Sequence, residues 1–220
     1  PTGEISAGAG IGTSGGTFMV SVRENNWLGQ GKSVAFEVDV DAESLAGKIS
    51  ITDPNYNFLG NSINYSLASE TNDKPNQGYE NKIISAGIGT SFEQYRDIYA
   101  SLGLNASYDD LSTTSNASDS LKKQSGSFSE LMTNYGFTYD NRNRAFNPTS
   151  GSISRFGQSL PLFADKAAIT NTLSSSTYKT FNEDVIGASK LYVSTIHGLD
   201  SDVALSKRSA LSTRRLRGFE

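Results

Sequence analysis

Leu131-Met-Thr-Asn-Tyr-Gly-Phe-Thr-Tyr139 decides how this chain is to be read. Leu131, Thr133, Tyr135, Phe137 and Tyr139 fall on one side of an extended backbone, and Met132, Asn134, Gly136 and Thr138 on the other. A period of two is the pattern of a β-strand with one apolar and one polar face.

The pattern recurs in both directions. Toward the N-terminus it runs through Glu4 to Ile11, Phe18 to Arg23, Val34 to Asp41, the pair Ile49 and Ile51, Ile63 to Ala68, Ile83 to Phe92 and Tyr99 to Tyr108. Toward the C-terminus it continues through Ile153 to Leu160, Thr170 to Phe181 and Val185 to Ile196, giving eleven strands in all. No convincing amphipathic helix separates them, so consecutive strands are expected to be antiparallel neighbours in a meander.

The connections fall into two alternating kinds. Even-numbered ones are expected to be short and aromatic: 26–29 with Trp27, 53–60 with Tyr56 and Phe58, 92–97 with Tyr95, 144–151 with Phe146, and 181–184. Odd-numbered ones are polar and include Asn72 to Asn81, Asp110 to Gly126 and the run from Gly198 onward. Aromatic residues at strand ends suit a wall that meets a lipid headgroup layer, and short turns on one rim with long loops on the other suit an outer-membrane barrel.

Composition agrees with that class. Only 36% of the 220 residues are hydrophobic, against 10 Tyr, 11 Phe and 21 Gly, as expected where strands show one face alone to an apolar medium. No run approaches the roughly 18 consecutive apolar residues of a membrane helix. With no Cys there are no disulfides or thiolate metal sites, and a net charge of -4 argues against a nucleic-acid partner. A soluble β-sandwich adhesin shares the strand alternation, but not the sided connections or the sparse apolar content.

Two chemical readings fail on context. Gly10-Ile-Gly12-Thr-Ser-Gly15 fits Gly-x-Gly-x-x-Gly, yet a dinucleotide fingerprint needs a helix next, and Phe18 to Arg23 is another strand; Thr13 to Gly16 reads as a hairpin turn. His197 is the single histidine, with Asp200 and Asp202 nearby, but no Ser carries a nucleophile motif, so no enzyme is expected. Asp109 and Asp110, placed in the fourth polar loop, lack the spaced oxygen ligands of a calcium site. No cofactor is expected.

An open path of eleven strands leaves two unpaired edges, which lipid does not tolerate. Pro1 follows neither a Met start nor a secretory leader, so residues 1–220 are expected to be one partial barrel domain of a longer protein.

In order along the chain, Asn26-Trp27-Leu28-Gly29-Gln30-Gly31, Asp53-Pro54-Asn55-Tyr56, Phe146-Asn147-Pro148-Thr149-Ser150-Gly151 and Leu216-Arg217-Gly218-Phe219 resemble the barrel domain of the BamA family of outer-membrane assembly factors. The resemblance covers nearly the whole chain. It implies an all-β meander forming the first eleven strands of a transmembrane β-barrel of about sixteen strands, within the range of closed outer-membrane barrels. Periplasmic POTRA domains would precede it.

The resemblance also implies roles. The sixth loop would fold into the barrel, with Arg217 held by carboxylates of the inner wall in paired charge-assisted hydrogen bonds. Gly218 would permit close backbone approach, and Phe219 would fill apolar space beside Leu216. A Gly pair common in the family before this motif is replaced here by Ser209-Ala210-Leu211-Ser212-Thr213.

The first strand, Glu4, Ile5, Ser6, Ala7, Gly8, Ala9, Gly10 and Ile11, would form one side of a lateral gate that pairs with incoming strands. Its glycines would either ease opening or simply fit a crowded inner wall. The function implied is insertion of β-barrel proteins into the bacterial outer membrane without nucleotide hydrolysis. Implied partners are nascent outer-membrane proteins, assembly lipoproteins reached through periplasmic domains, the bilayer and its lipopolysaccharide. Two-partner secretion pores and translocation-and-assembly barrels share an Arg-Gly-Phe or Arg-Gly-Tyr motif and form the alternative.

Overall fold

The computed structural model describes residues 2–12, 15–76, 78–182, 184–199 and 202–203. Eleven strands form one antiparallel sheet whose spatial order is the chain order. They are β1 (Gly3–Gly12), β2 (Gly15–Trp27), β3 (Lys32–Val40), β4 (Ser44–Asp53), β5 (Ser62–Lys74), β6 (Tyr79–Tyr95), β7 (Ile98–Thr113), β8 (Gly126–Asp140), β9 (Gly151–Ala164), β10 (Ala168–Asn182) and β11 (Val185–Gly198). Each strand of the sequence reading has its counterpart.

Register keeps the two faces apart. Ile5 pairs with Val22, Val22 with Phe36, Phe36 with Ile49 and Ile49 with Leu67. The row continues through Ala86, Ala106 and Leu131 to Phe163. One residue away, Ser6, Ser21, Glu37, Lys48, Ala68, Ser85, Ser107 and Glu130 form the matching row of the polar face. Because side chains alternate, a slip of one residue in any pair would exchange these rows.

The apolar face stays open. Phe36, Ile49, Leu67, Leu104 and Phe137 are all among its exposed large residues. The described residues hold no conventional core, and the few buried apolar positions, such as Ala35, Ala100 and Ile153, are small or lie on the polar face. A sheet that leaves such a surface uncovered needs an apolar medium against it.

Glycines shape the polar face. Gly89 pairs with Gly103, and Gly136 with Gly157, flooring a hollow of about 590 Å³ bordered by Ser101, Asn134, Arg155 and Thr172. A Cβ at Gly136 would stand 2.8 Å from the carbonyl oxygen of Phe156, so that position is closed to any side chain.

Three expectations are corrected. Strands run past the apolar belt into polar residues, because the backbone ladder continues where apolar alternation stops. Glu80 pairs with Ser112 and Asp73 with Glu80, so most of Asn72 to Asn81 is strand, in β5 as far as Lys74 and in β6 from Tyr79. Asp109 and Asp110 likewise belong to β7 rather than to a loop, and Asp110 accepts a hydrogen bond from the Ser127 hydroxyl at 2.9 Å.

The fourth polar connection, 114–125, contains a single helical turn, α1 (Asp119–Lys122), whose N-cap Ser118 accepts from the Leu121 amide at 3.3 Å. Strand β9 passes Leu160 through a bulge: Pro161 pairs with Met132 and Phe163 with Leu131, so Leu162 is the extra residue, beside Pro161, which has no N–H to give the ladder.

The third correction concerns the rims. Aromatic connections occupy 28–31, 54–61, 96–97, 141–150 and 183–184, and described polar ones 41–43, 75–78, 114–125 and 165–167. The aromatic set is therefore not the shorter one. Its longer members are compact through side-chain acceptors: Asn55 Oδ1 takes the Gly60 N–H at 2.7 Å, and Asn143 Oδ1 takes those of Thr149 and Ser150 at 3.1 and 3.3 Å.

Gly136→Ala is expected to cost about 1–3 kcal/mol, the usual range for forced overpacking. Gly47→Ala, where nothing lies within 4 Å of the added Cβ, is expected to be neutral. Urea unfolding midpoints of the two variants, measured in the intact protein, check the contrast.

Candidate functional site: the first strand and the aromatic rim

Strand β1 lies at one edge of the sheet. It pairs with β2 in unbroken register from Gly3 opposite Glu24 to Gly12 opposite Gly15. Every residue from Gly3 to Ile11 is exposed, and Ile5 and Ile11 reach 79% and 95%. Glu4, Ser6, Gly8 and Gly10 lie on the polar face, opposite Arg23, Ser21, Met19 and Thr17.

The two central glycines of β1 have different surroundings. A Cβ at Gly10 would meet Thr17 Oγ1 at 3.0 Å, and that hydroxyl also donates to the Gly10 carbonyl at 3.4 Å. Around Gly8 nothing lies within 4 Å. Crowding therefore explains Gly136 but not Gly8 among the described residues.

A hollow of about 390 Å³ beside Gly8 and Gly10 is bordered by Met19, Asp39 and Asp41. Near the other end of β1, Arg23 lies 4.0 Å from Glu37, with both side chains substantially exposed. Such a pair contributes little to stability.

At the rim beside the start of β1 the aromatic residues gather at one end of the sheet. Trp27 closes β2 opposite Lys32, and Tyr95 closes β6 opposite Ile98, which puts both on the apolar side. Tyr56, Phe58 and Phe146 lie in the connections, where Phe58 and Phe146 are 89% and 83% exposed. Tyr139 belongs with them: it pairs with Ile98 at the end of β8, and its hydroxyl accepts from Asn141 Nδ2 at 2.8 Å. Its place as the last residue of the clearest alternating run was the available signal.

Backbone geometry marks the same rim. The four non-glycine residues of positive φ among those described, Leu28 (53°), Phe58 (60°), Asp97 (64°) and Asn147 (48°), all lie in aromatic connections. In the 141–150 connection Arg142 is fixed by Asp140, through Nε at 2.8 Å and Nη2 at 2.7 Å, which holds the guanidinium further toward its charged form. Arg144 Nε donates to the Asn147 carbonyl at 2.7 Å, and Thr180 Oγ1 ties the Thr149 carbonyl to β10 at 2.9 Å.

Leu216, Arg217, Gly218 and Phe219 lie outside the described residues, as does Asp200. His197 is on β11 opposite Ile169, on the apolar face.

An antiparallel meander with an exposed apolar face, a polar face and aromatic residues at one strand end is the wall of an outer-membrane type of β-barrel. The chain belongs to the Omp85 superfamily, whose domain matches residues 26–220. The fold is that of a BamA-like barrel: the crystal structure of BamA from Haemophilus ducreyi lacking POTRA domains 1-3 superposes with a TM-score of 0.77 at 21% sequence identity, over 90% of this chain. The chain spans 42% of that structure's length. The superfamily is one of outer-membrane protein insertion and translocation.

Asn143→Ala is expected to loosen the 141–150 connection by about 1 kcal/mol, the net value of a typical hydrogen bond. Trypsin should then cut after Arg144 severalfold faster, while the strands stay resistant.

Proposed function

We propose that this chain is the gate-side wall of a barrel that inserts other β-barrel proteins into the bacterial outer membrane. The observation that supports the reading is Gly8 in the middle of β1, a strand residue around which no described atom lies within 4 Å of an added Cβ. An unpaired strand edge is a template for strand addition. Insertion would then proceed by pairing β1 with a strand of the nascent barrel as the bilayer thins nearby, with no covalent step and no nucleotide. Assembly lipoproteins would act through periplasmic domains.

Trp27, Tyr56, Phe58, Tyr95 and Phe146 would set the barrel's depth at the membrane interface, where aromatic rings are favoured. Lipopolysaccharide would border the other rim. Arg217, between Leu216 and Gly218-Phe219, would seat the sixth loop against carboxylates of the polar face. Superfamily membership fits a translocating pore as well. The lightly packed centre of β1 at Gly8 favours insertion, since a pore has no need to open its wall.

The direct test places Cys at Ser6 or Gly10 of the intact protein and Cys along the terminal strand of a nascent barrel. In-register disulfides are expected to form during insertion, and their absence at every pairing would sink the gate. Gly8→Val should leave the barrel folded, since there is room for the side chain, but slow insertion by strengthening β1 as a strand. Arg217→Ala should lower the amount of folded outer-membrane barrels and make the sixth loop more protease-sensitive; unchanged values of both would remove the motif from the mechanism.

A further inference from the structure

The apolar face is not uniform along the sheet. On β3 its successive positions are Val34, Phe36, Val38 and Val40, and Phe36 is the middle of the strand. On β10 they are Ile169, Asn171, Leu173, Ser175 and Thr177, and the middle of that strand is Ser175. On β11, Leu191 and Val193 stand between Ser189 and Thr195. On β9, Gln158 separates Phe156 from Leu160.

The polar positions are joined across four strands. Tyr135 Oη donates to Gln158 Oε1 at 2.6 Å, Gln158 Nε2 donates to Asn171 Oδ1, and Asn171 Nδ2 donates to Thr195 Oγ1 at 3.2 Å. Apolar rows flank this rung: Phe137, Phe156, Leu173 and Val193 on one side, Leu160 and Ile169 on the other. Nearer the aromatic rim, the hydroxyls of Ser154 and Ser175 lie 2.9 Å apart.

Such a rung can stand in a membrane wall because its members satisfy one another. It cannot supply apolar height. Same-face positions repeat about every 6.6 Å along a strand, so the unbroken belt on β3 spans roughly 20 Å, close to the ~25 Å band of barrel walls. On β10, Leu173 stands by itself between Asn171 and Ser175, one position against the four of β3, with Ile169 beyond Asn171. Lipid relieves a short belt by thinning.

We propose that the bilayer is thinned beside β9 to β11, with headgroups and water reaching the level of Asn171 and Ser175, while acyl chains cover β3 to β7 in full. This rests on the membrane-spanning reading above and adds to it a second thinned zone, on the far side of the described sheet from β1. A lipid boundary is favoured over a protein one because the amides already bond within the rung.

The test uses the intact protein in dioleoyl phosphatidylcholine vesicles, with a nitroxide label on a single Cys at Phe36 or Ser175. Collision with oxygen reports acyl chains, and collision with a water-soluble nickel chelate reports water. Nickel accessibility relative to oxygen is expected to be severalfold higher at Ser175 than at Phe36, and to fall when Gln158, Asn171 and Thr177 are replaced together by Leu. Equal, oxygen-rich values at both sites overturn the thinning. A Ser175 label shielded from both reagents also overturns it and indicates a protein neighbour. Water at Phe36 as well removes the membrane-spanning reading itself.

Discussion

Everything in this sheet depends on backbone hydrogen bonding that leaves no choice of register. Inside a bilayer no water is available to a strand's N–H and C=O groups, so each strand must be paired along its length by its neighbours. Among the described strands the meander meets that demand with local hairpins from β2 to β10, while β1 and β11 are each paired on one side. Once the pairs are fixed, parity decides which side chains face out. A single-residue slip would bring the Glu37 and Lys48 row to the apolar side.

Irregularities are placed where they do least harm to that parity. Register shifts fall between Glu24 and Trp27, between Glu93 and Tyr95 and between Thr180 and Asn182, all near the aromatic rim. The one near the other end of a strand, at Leu131, accommodates Pro161 and returns Phe163 to the apolar row. The same rim holds the left-handed residues Leu28, Phe58, Asp97 and Asn147. Local strain is thus gathered at one end, and the ladder between the rims stays regular.

Much of this was legible in the sequence, because alternation is a direct image of the pleat. Leu131 to Tyr139 alone predicts β8 and its facing, and the same rule finds all eleven strands. Strand ends were less legible. Apolar alternation marks only the lipid-facing belt, so Glu80, Asp109 and Ser112 read as loop although their backbones pair. Connection length failed as a signal for a related reason: 54–61 and 141–150 are long in sequence but folded tightly by Asn55, Asn141 and Asn143. The edge position of β1 follows from the meander, its gate role came only through resemblance, and the open space at Gly8 depends on neighbours that the sequence does not show. The rung from Tyr135 to Thr195 was hidden because its members are far apart in sequence and meet only through register.

The central claim is that register makes this chain a two-faced membrane wall. Its most direct measurement is fluorescence quenching by brominated lipid of a single Trp moved through positions 101 to 106 of β7, in intact protein whose native Trp27 is replaced by Phe. The account predicts strong quenching at Leu102, Leu104 and Ala106 and weak quenching at Ser101, Gly103 and Asn105, since the first set lies on the apolar face and the second on the polar face. Quenching without a period of two, or with the sets exchanged, would contradict it.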